Sequence, residues 1–229
     1  DDPPDPPAHP APSATLVLIR RAEKAPEVLL LRRNPRSGFI PGAWVFPGGR
    51  VDPEDGDQTL LRTLTSGPKE EDLLRFGPER PGPPARAYWI AAVREAFEET
   101  GIFLGQEINR DLEAAQSHIL NGKSSFREIL GRAAGALNLD RIKYIGHWLP
   151  PECEPRRYET RFFISEVKEP VHVRPHEKEL VEHLWLTPQE ALSRNREGWL
   201  PLVLPTLVTL EELLPFRTVT DAIRVLGSR

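Results

Sequence analysis

The sequence predicts one α/β or α+β domain in which helices cover a sheet. Two observations lead to this prediction: short apolar runs alternate with helical patterns, and residues 85–104 have strong helical periodicity. A chain of 229 residues is long enough to bury a core, and 39% hydrophobic with 28% charged residues is typical of globular proteins. We expect a single domain over residues 14–229, preceded by a disordered, proline-rich tail over residues 1–13.

The elements can be placed in order along the chain. Short apolar runs typical of strands lie at 14–20, 27–33, 43–49, 141–150, 156–167 and 183–186. Helical patterns occupy 85–104, 109–122, 124–137, 204–214 and 219–227. Two capping boxes mark helix starts, Ser125 with Glu128 and Thr187 with Glu190. Residues 56–88 are predicted to be a surface insertion with one or two short helices. Their composition, up to Pro84, is rich in proline, glycine and charge.

Composition also excludes several classes of protein. The net charge of -4, without a block of Lys and Arg, argues against a nucleic-acid partner. No apolar run approaches the roughly 20 residues of a membrane helix, and no secretory signal is visible. Cys153 is the only cysteine, so no internal disulfide can form, which suits a reducing compartment. We expect a cytoplasmic protein without a membrane partner, and we leave a homodimer open.

The helix at 85–104 has two chemically different faces. Its apolar side consists of Trp89, Ile90, Val93, Ala96 and Phe97. Glu95, Glu98 and Glu99 lie opposite, and Gly101 follows as a typical helix end. Three neighbouring carboxylates repel one another, and the macrodipole near a helix C-terminus increases that repulsion. The pattern therefore favours a bound cation, and Mg²⁺ is the natural one because it prefers oxygen ligands and substrate phosphates.

The segment REAFEETGI, residues 94–102, resembles the second half of the Nudix box at every fixed position. The first half of that box is a glycine, five residues and then a glutamate. Gly49 with Asp55 fits this spacing with aspartate as the acid, and Gly48 with Glu54 fits it too. We favour Asp55, because the second glycine of FPGG is the usual start. The 38 residues 56–93 separate the two halves, so the box is split by an insertion.

A split box and the later segments RRYETRFF and WLPLVLPTL resemble the Nudix branch that includes the peroxisomal coenzyme A diphosphatases. The resemblance implies an α/β/α sandwich around a mixed sheet, with an insertion inside the box and extra C-terminal helices. It also implies hydrolysis of a nucleoside-linked diphosphate with Mg²⁺ or Mn²⁺. Coenzyme A or an acyl-CoA is the expected substrate. ADP-ribose or a nucleotide sugar is the alternative, and a non-catalytic nucleotide-sensing module is an alternative of another class.

The same resemblance assigns roles to individual residues. Glu95, Glu98 and Glu99 are implied metal ligands, together with the Gly49 carbonyl and Asp55. Arg94 is expected to fix the glutamates by charge-assisted hydrogen bonds. The general base is either a box glutamate or a later loop acid, for which Glu179 is preferred to Glu182.

Substrate contacts are expected from the loops around the glycines. Arg33, Arg36 and Arg157 are candidate phosphate ligands, and Gly48 lets a substrate approach the backbone closely. The insertion is expected to act as a lid or partner surface, since a longer loop costs little to close. On that view, replacing residues 57–84 by a short linker leaves the melting temperature nearly unchanged.

Overall fold

The computed structural model describes residues 10–38, 40–61, 64–77, 82–105, 111–131, 137–154, 157–168, 171–175 and 179–229. Within these ranges the strands are β1 (Ala11–Arg20), β2 (Glu27–Arg33), β3 (Trp44–Val45), β4 (Gly48–Arg50), β5 (Leu64–Ser66), β6 (Leu137–Asn138), β7 (Lys143–Trp148), β8 (Tyr158–Glu166) and β9 (Leu180–Leu186). The α-helices are α1 (Gln58–Leu61), α2 (Glu70–Phe76), α3 (Ala85–Thr100), α4 (Leu112–Leu120), α5 (Phe126–Gly131), α6 (Pro188–Arg196), α7 (Leu204–Leu213) and α8 (Val219–Leu226). Not one of the helices in the described ranges has the length and apolar character needed to cross a membrane.

A mixed sheet forms the centre of the fold. The described strands run in the order β3-β2-β1-β8-β7, with β4 paired to β1 and β9 paired to β2. The β1 and β8 strands are parallel over nine residue pairs, whereas β1 pairs with β2 and with β4 antiparallel. Because β1 lies between neighbours and is covered on both faces, its sequence reads as a continuous apolar run.

Side chains of β1 alternate between two cores, one on each face of this sheet. Ala14, Leu16 and Leu18 pack with helix α3, and Val17 and Ile19 pack with helices α6, α7 and α8. The chain is therefore an α/β/α sandwich around a mixed sheet. The predicted fold class is confirmed, including the helices at the C-terminal end. Both predicted capping boxes are also present, at Ser125 with Glu128 and at Thr187 with Glu190.

The predicted tail is too long at its C-terminal end. Strand β1 begins at Ala11, where Ala11 pairs with Tyr158, and the Pro12 carbonyl accepts a hydrogen bond from the Val51 N–H. Proline lacks only the N–H, so its carbonyl still joins the sheet. The rest of the predicted tail, residues 1–9, lies outside the described residues.

The insertion contributes to the core, contrary to the expectation that it is a detachable lid. The Phe76 ring at the end of α2 packs against the rings of Tyr88, Trp89 and Tyr144, with ring centroids 5.1, 5.5 and 5.4 Å apart. The Leu60 side chain of α1 is only 2% exposed in the same core. These are contacts between distant parts of the chain, so composition alone could not reveal them.

Polar contacts add to this attachment of the insertion. The Asp72 carboxylate is fully buried and accepts a hydrogen bond from Lys143 Nζ at 3.0 Å and another from Arg75. Removing the Asp72 carboxylate would deprive the largely buried Lys143 ammonium of this partner, which is costly. Strand β5 of the insertion also pairs in parallel with β6, which lies after α5 in the chain.

Candidate active site

Helix α3 presents the predicted acidic residues because its other side is completely buried. The predicted apolar face is confirmed, with 0% exposure for Trp89, Ile90, Val93, Ala96 and Phe97. The Trp89 ring also donates a hydrogen bond to the Ile142 carbonyl at 2.9 Å, which fixes the rotation of the helix. This anchoring turns Glu95 and Glu99 toward the loop that contains Gly48 and Gly49, and it turns Glu98 toward the guanidinium of Arg94.

The two halves of the split motif meet through a buried ion pair. Arg94 Nε donates to Asp55 Oδ1 at 2.9 Å, and Arg94 Nη2 donates to Asp55 Oδ2 at 3.0 Å. Asp55 is 1% exposed, and its Oδ2 also accepts from the Asp52 N–H at 2.8 Å. Glu54 is exposed and makes no such contact. Of the two acids that fit the spacing, Asp55 is therefore the partner of Arg94.

These contacts change the role expected for Asp55. Both of its oxygens already accept hydrogen bonds, and its carboxylate is buried behind the guanidinium of Arg94. They give no support to the prediction that Asp55 is a metal ligand. They fit a residue that positions Arg94, in the bidentate geometry that makes Arg–carboxylate pairs strong.

Arg94 connects this buried pair to the acidic face of α3, which consists of Glu95, Glu98 and Glu99. Its Nη1 donates to Glu95 Oε1 at 2.9 Å and to Glu98 Oε2 at 3.4 Å. Its Nη2 donates to the Arg50 carbonyl at 2.8 Å. The hydrogen bonds that we expected between Arg94 and the glutamates are thus present for two of the three. A lysine could not make this set of contacts, because it lacks the planar fork of donors.

The glycine loop meets Glu99 at Gly48. The Gly48 N–H donates to Glu99 Oε2 at 2.9 Å, whereas the Gly49 carbonyl accepts from Ser13 Oγ at 2.7 Å. In an extended strand the N–H and C=O of one residue point to one side, and those of the next residue point to the other. The Gly48 carbonyl therefore faces the glutamates and the Gly49 carbonyl faces β1. These contacts give no support to the prediction of Gly49 as the carbonyl ligand, and they make Gly48 the alternative candidate.

A side chain at position 49 would displace the Glu95 carboxylate, whereas one at position 48 would meet backbone atoms. A Cβ added at Gly49 would lie 2.5 Å from the carboxylate carbon of Glu95. A Cβ at Gly48 would lie 2.5 Å from the Ala14 carbonyl oxygen. The absence of side chains thus lets the acidic helix pack directly on one glycine and strand β1 on the other.

Burial raises the pKa values of all three glutamates. Burial raises the pKa of Glu95 to about 7, and it also raises the pKa of Glu98, in both cases against the opposing charge of Arg94. Burial and then the charge of Glu95 raise the pKa of Glu99 well above its usual value. Desolvated carboxylates with a single guanidinium between them are unfavourable as anions. A cation at this position would stabilise their ionised forms.

The donor set fits a hard divalent cation. Every candidate ligand is an oxygen, from Glu95, Glu98 and Glu99 and from the Gly48 carbonyl, as Mg²⁺ and Mn²⁺ prefer. Within the described residues, no three ligand-type side chains converge on one point in this conformation. The contacts give the reason, since Arg94 draws Glu95 and Glu98 to itself while Glu99 bonds to Gly48.

Of the other predicted residues, some lie near the acidic face of α3 and others lie away from it. Glu179 is exposed and its charge further raises the pKa of Glu99, whereas the charge of Arg33 opposes the effects of burial and Glu95 there. Both side chains are thus within electrostatic reach of the acidic face. Glu182, the alternative to Glu179, instead pairs with Arg32 at 3.1 Å.

The two remaining arginines, Arg36 and Arg157, differ in their exposure and in their side-chain contacts. Arg36 is exposed in the turn after β2, where its N–H donates to the Asn34 side chain. Arg157 donates from Nε and Nη2 to the Pro150 carbonyl, at 3.2 and 3.0 Å. The contacts of Arg157 therefore close the connection between β7 and β8, and they lend no support to a substrate contact. Arg33 also donates to Ser37 Oγ at 3.3 Å, so it borders the same turn as Arg36.

Comparison with known proteins decides the family of this chain. The family described as the NUDT19 Nudix domain matches residues 9–213. The chain belongs to this family. The predicted Nudix membership is confirmed, and the predicted resemblance to the coenzyme A diphosphatase branch agrees with relatives that carry that name.

Individual relatives agree with this family assignment. Acyl-coenzyme A diphosphatase NUDT19 of Xenopus laevis is 27% identical over 245 residues, covering 89% of this chain and 63% of the relative. The human protein of the same name is 27% identical over 234 residues, covering 85% and 62%. The chain thus spans less than two thirds of these relatives. The crystal structure of a Nudix hydrolase from Alicyclobacillus acidocaldarius matches with a TM-score of 0.82 and 29% identity, covering 96% and 98% of the two chains.

Two residues that contact helix α3 or its glycine loop were not identified from the sequence. Ser13, which is 6% exposed and bonds to Gly49, lay in the predicted tail. Gln116, which is 4% exposed, donates to the carbonyl of Glu98 at 3.0 Å and to that of Arg174 at 3.1 Å. No local pattern identifies either residue, because each acts on a segment distant in sequence. A single serine or glutamine carries no signal until the sheet and helices are assembled.

Proposed function

We propose that this Nudix domain hydrolyses the P–O–P bridge of a nucleoside-diphosphate-linked substrate with the help of a divalent cation. The observation that carries the proposal is the buried pair of Arg94 and Asp55. It joins the two halves of the motif across the insertion, so a split motif still forms one site. An intact set of three glutamates favours an enzyme over a binding module that only senses a nucleotide.

The acidic face would hold the cation. Glu95, Glu98 and Glu99 are the candidate side-chain ligands, and the Gly48 carbonyl faces them. A bound Mg²⁺ or Mn²⁺ supplies positive charge that stabilises the negative charge developing on the phosphates. Arg94 keeps the carboxylates in place through its hydrogen bonds, and its own position depends on Asp55.

Glu179 is the preferred general base for the attacking water. It is exposed at the loop before β9, and its charge reaches Glu99. In this role its carboxylate accepts a proton as the water oxygen bonds to phosphorus, and the bridging oxygen leaves with the other phosphate. Glu182 is a weaker candidate because it already pairs with Arg32.

Coenzyme A or an acyl-CoA is the substrate that we favour. The support comes from the family match and from relatives named acyl-coenzyme A diphosphatase. The adenosine end of coenzyme A carries a 3′-phosphate, and Arg33 and Arg36 stand at the turn beside the site. Cleavage of the diphosphate would give 4′-phosphopantetheine and adenosine 3′,5′-bisphosphate.

A substrate panel tests this proposal. Coenzyme A, dephospho-coenzyme A, ADP-ribose and nucleotide sugars are incubated with the protein and Mg²⁺ or Mn²⁺, and the products are resolved by mass. We expect the fastest cleavage for coenzyme A and slower cleavage for its dephospho form. The Arg36→Ala variant should reduce that difference, by about 1.5–3 kcal/mol if this arginine binds the 3′-phosphate alone. Faster cleavage of ADP-ribose would favour the alternative substrate, and no cleavage of any diphosphate would contradict hydrolysis.

A further inference from the structure

A cleft opens beside the acidic end of helix α3, where Leu60 of the insertion meets α4 and α5. Its volume is about 250 Å³, and Arg94 and Glu98 line one wall. The opposite wall comes from α1, α4 and α5, through Leu60, Ile119 and Phe126. We call this space the insertion cleft. It is too small for a whole ligand of coenzyme A size, since sites for drug-sized molecules measure about 300–1,000 Å³. It can accommodate one arm of such a ligand beside the candidate metal ligands.

The lining of the insertion cleft disfavours a phosphate. Asp52, Glu54 and Glu98 contribute carboxylates to its rim. The guanidinium of Arg94 is already engaged by Asp55 and two glutamates, and Arg127 lies 3.5 Å from Asp57. A phosphate placed here would meet like charges, whereas amide N–H and hydroxyl groups would find acceptors. The apolar wall suits an uncharged chain with methylene and methyl groups.

Positive charge is present on the other side of the acidic face, away from the insertion cleft. Glu99 bonds to Gly48 and lies within reach of the charge of Arg33. Glu98 follows Arg94 by one helical turn and lines the insertion cleft. Successive positions on a helix are rotated by about 100°, so these two glutamates face different surroundings. A substrate lying across the acidic face would thus meet arginines at one end and the insertion cleft at the other.

We propose that the insertion cleft binds the pantetheine arm of the substrate, while the turn bearing Arg33 and Arg36 binds the phosphorylated nucleoside. The inference rests on the proposed function, because it takes a coenzyme A type of substrate as its starting point. Pantetheine fits the lining because it is uncharged and combines two amides and a hydroxyl with apolar carbons. The nucleoside bisphosphate end is strongly anionic and fits only the side with the arginines. The insertion, through Leu60, therefore shares one wall of the substrate site with α4 and α5.

Binding of the two products tests this orientation without relying on turnover. Isothermal titration calorimetry in Mg²⁺ compares 4′-phosphopantetheine with adenosine 3′,5′-bisphosphate on the unmutated protein, Ile119→Trp and His118→Trp. Ile119 lines the insertion cleft, whereas His118 is exposed on the same helix and serves as the matched control. Ile119→Trp should weaken 4′-phosphopantetheine by at least about tenfold and leave the bisphosphate within about twofold. His118→Trp should change neither. Ile119→Phe replaces the tryptophan variant if the latter loses its cooperative melting transition.

Each outcome decides for or against the proposed orientation. Selective loss of 4′-phosphopantetheine binding supports it. Unchanged binding in Ile119→Trp, an equal loss for both ligands, or no binding of 4′-phosphopantetheine to the unmutated protein overturns it. Failure of the proposed function gives a different result, namely selective binding as expected but no cleavage of coenzyme A in the substrate panel.

Discussion

Replacing Phe76 by alanine should destabilise the protein as strongly as a core substitution, although Phe76 belongs to the insertion. Its ring packs on Tyr88, Trp89 and Tyr144, with centroid distances of 5.1, 5.5 and 5.4 Å, and the Arg161 guanidinium carbon lies 4.5 Å from its centroid. A fully buried phenylalanine costs about 3–5 kcal/mol when truncated to alanine. Phe76 is only partly buried, so we expect the lower end, about 3 kcal/mol.

The expected loss is large enough for a simple thermal assay. For a domain of this size each kcal/mol lowers Tm by about 2–4 °C, which predicts a decrease of about 6–12 °C for Phe76→Ala. Leu74→Ala is the matched control on the same helix, because Leu74 is 75% exposed. The control should stay within about 0.5 kcal/mol of the unmutated protein in urea titration. Equal melting temperatures for the two variants would mean that α2 does not hold the insertion on the core. That result would restore the expectation of a detachable lid.

The remaining predictions concern the acidic face and its glycine loop. Glu99→Gln should lower turnover about a hundredfold or more, since it removes a candidate ligand charge, while Glu197→Gln, an exposed position at the end of α6, keeps turnover near normal. Steady-state rates on coenzyme A check this, and similar rates for both variants would exclude Glu99 from the site. Gly49→Ala should also inactivate, because its Cβ would lie 2.5 Å from the Glu95 carboxylate. Gly38→Ala is the control, since no atom of the described residues lies within 4 Å of its added Cβ. An active, stable Gly49→Ala protein would contradict the packing. Mg²⁺ at about a hundredfold excess over its Kd should stabilise the unmutated protein by about 2.7 kcal/mol in calorimetry. The same addition should have a much smaller effect on Glu99→Gln, and an equal shift in the two proteins would show that the ion binds elsewhere.

Patterns within short stretches of the sequence were sufficient to predict several features of the fold. The apolar and acidic faces of α3 follow from the helical repeat, and both capping boxes follow from a spacing of three residues. The split Nudix motif was readable because its two halves are each contiguous. Strands β1 and β2 were likewise visible as apolar runs, since both are covered on both faces of the sheet.

The tertiary structure decided the matters that depend on contacts between distant segments. Asp55 and Glu54 both fit the spacing, and the burial of Asp55 against Arg94 supports the preference for Asp55. Likewise Gly48 faces Glu99 because Gly49 is turned toward Ser13 on β1. Strand pairing fixes which carbonyl points to which side, and a shift by one residue would reverse it. The insertion joined the core for the same kind of reason. Phe76 is one aromatic residue in a polar segment, and its partners lie on α3 and β7, so its role exists only once those elements are assembled.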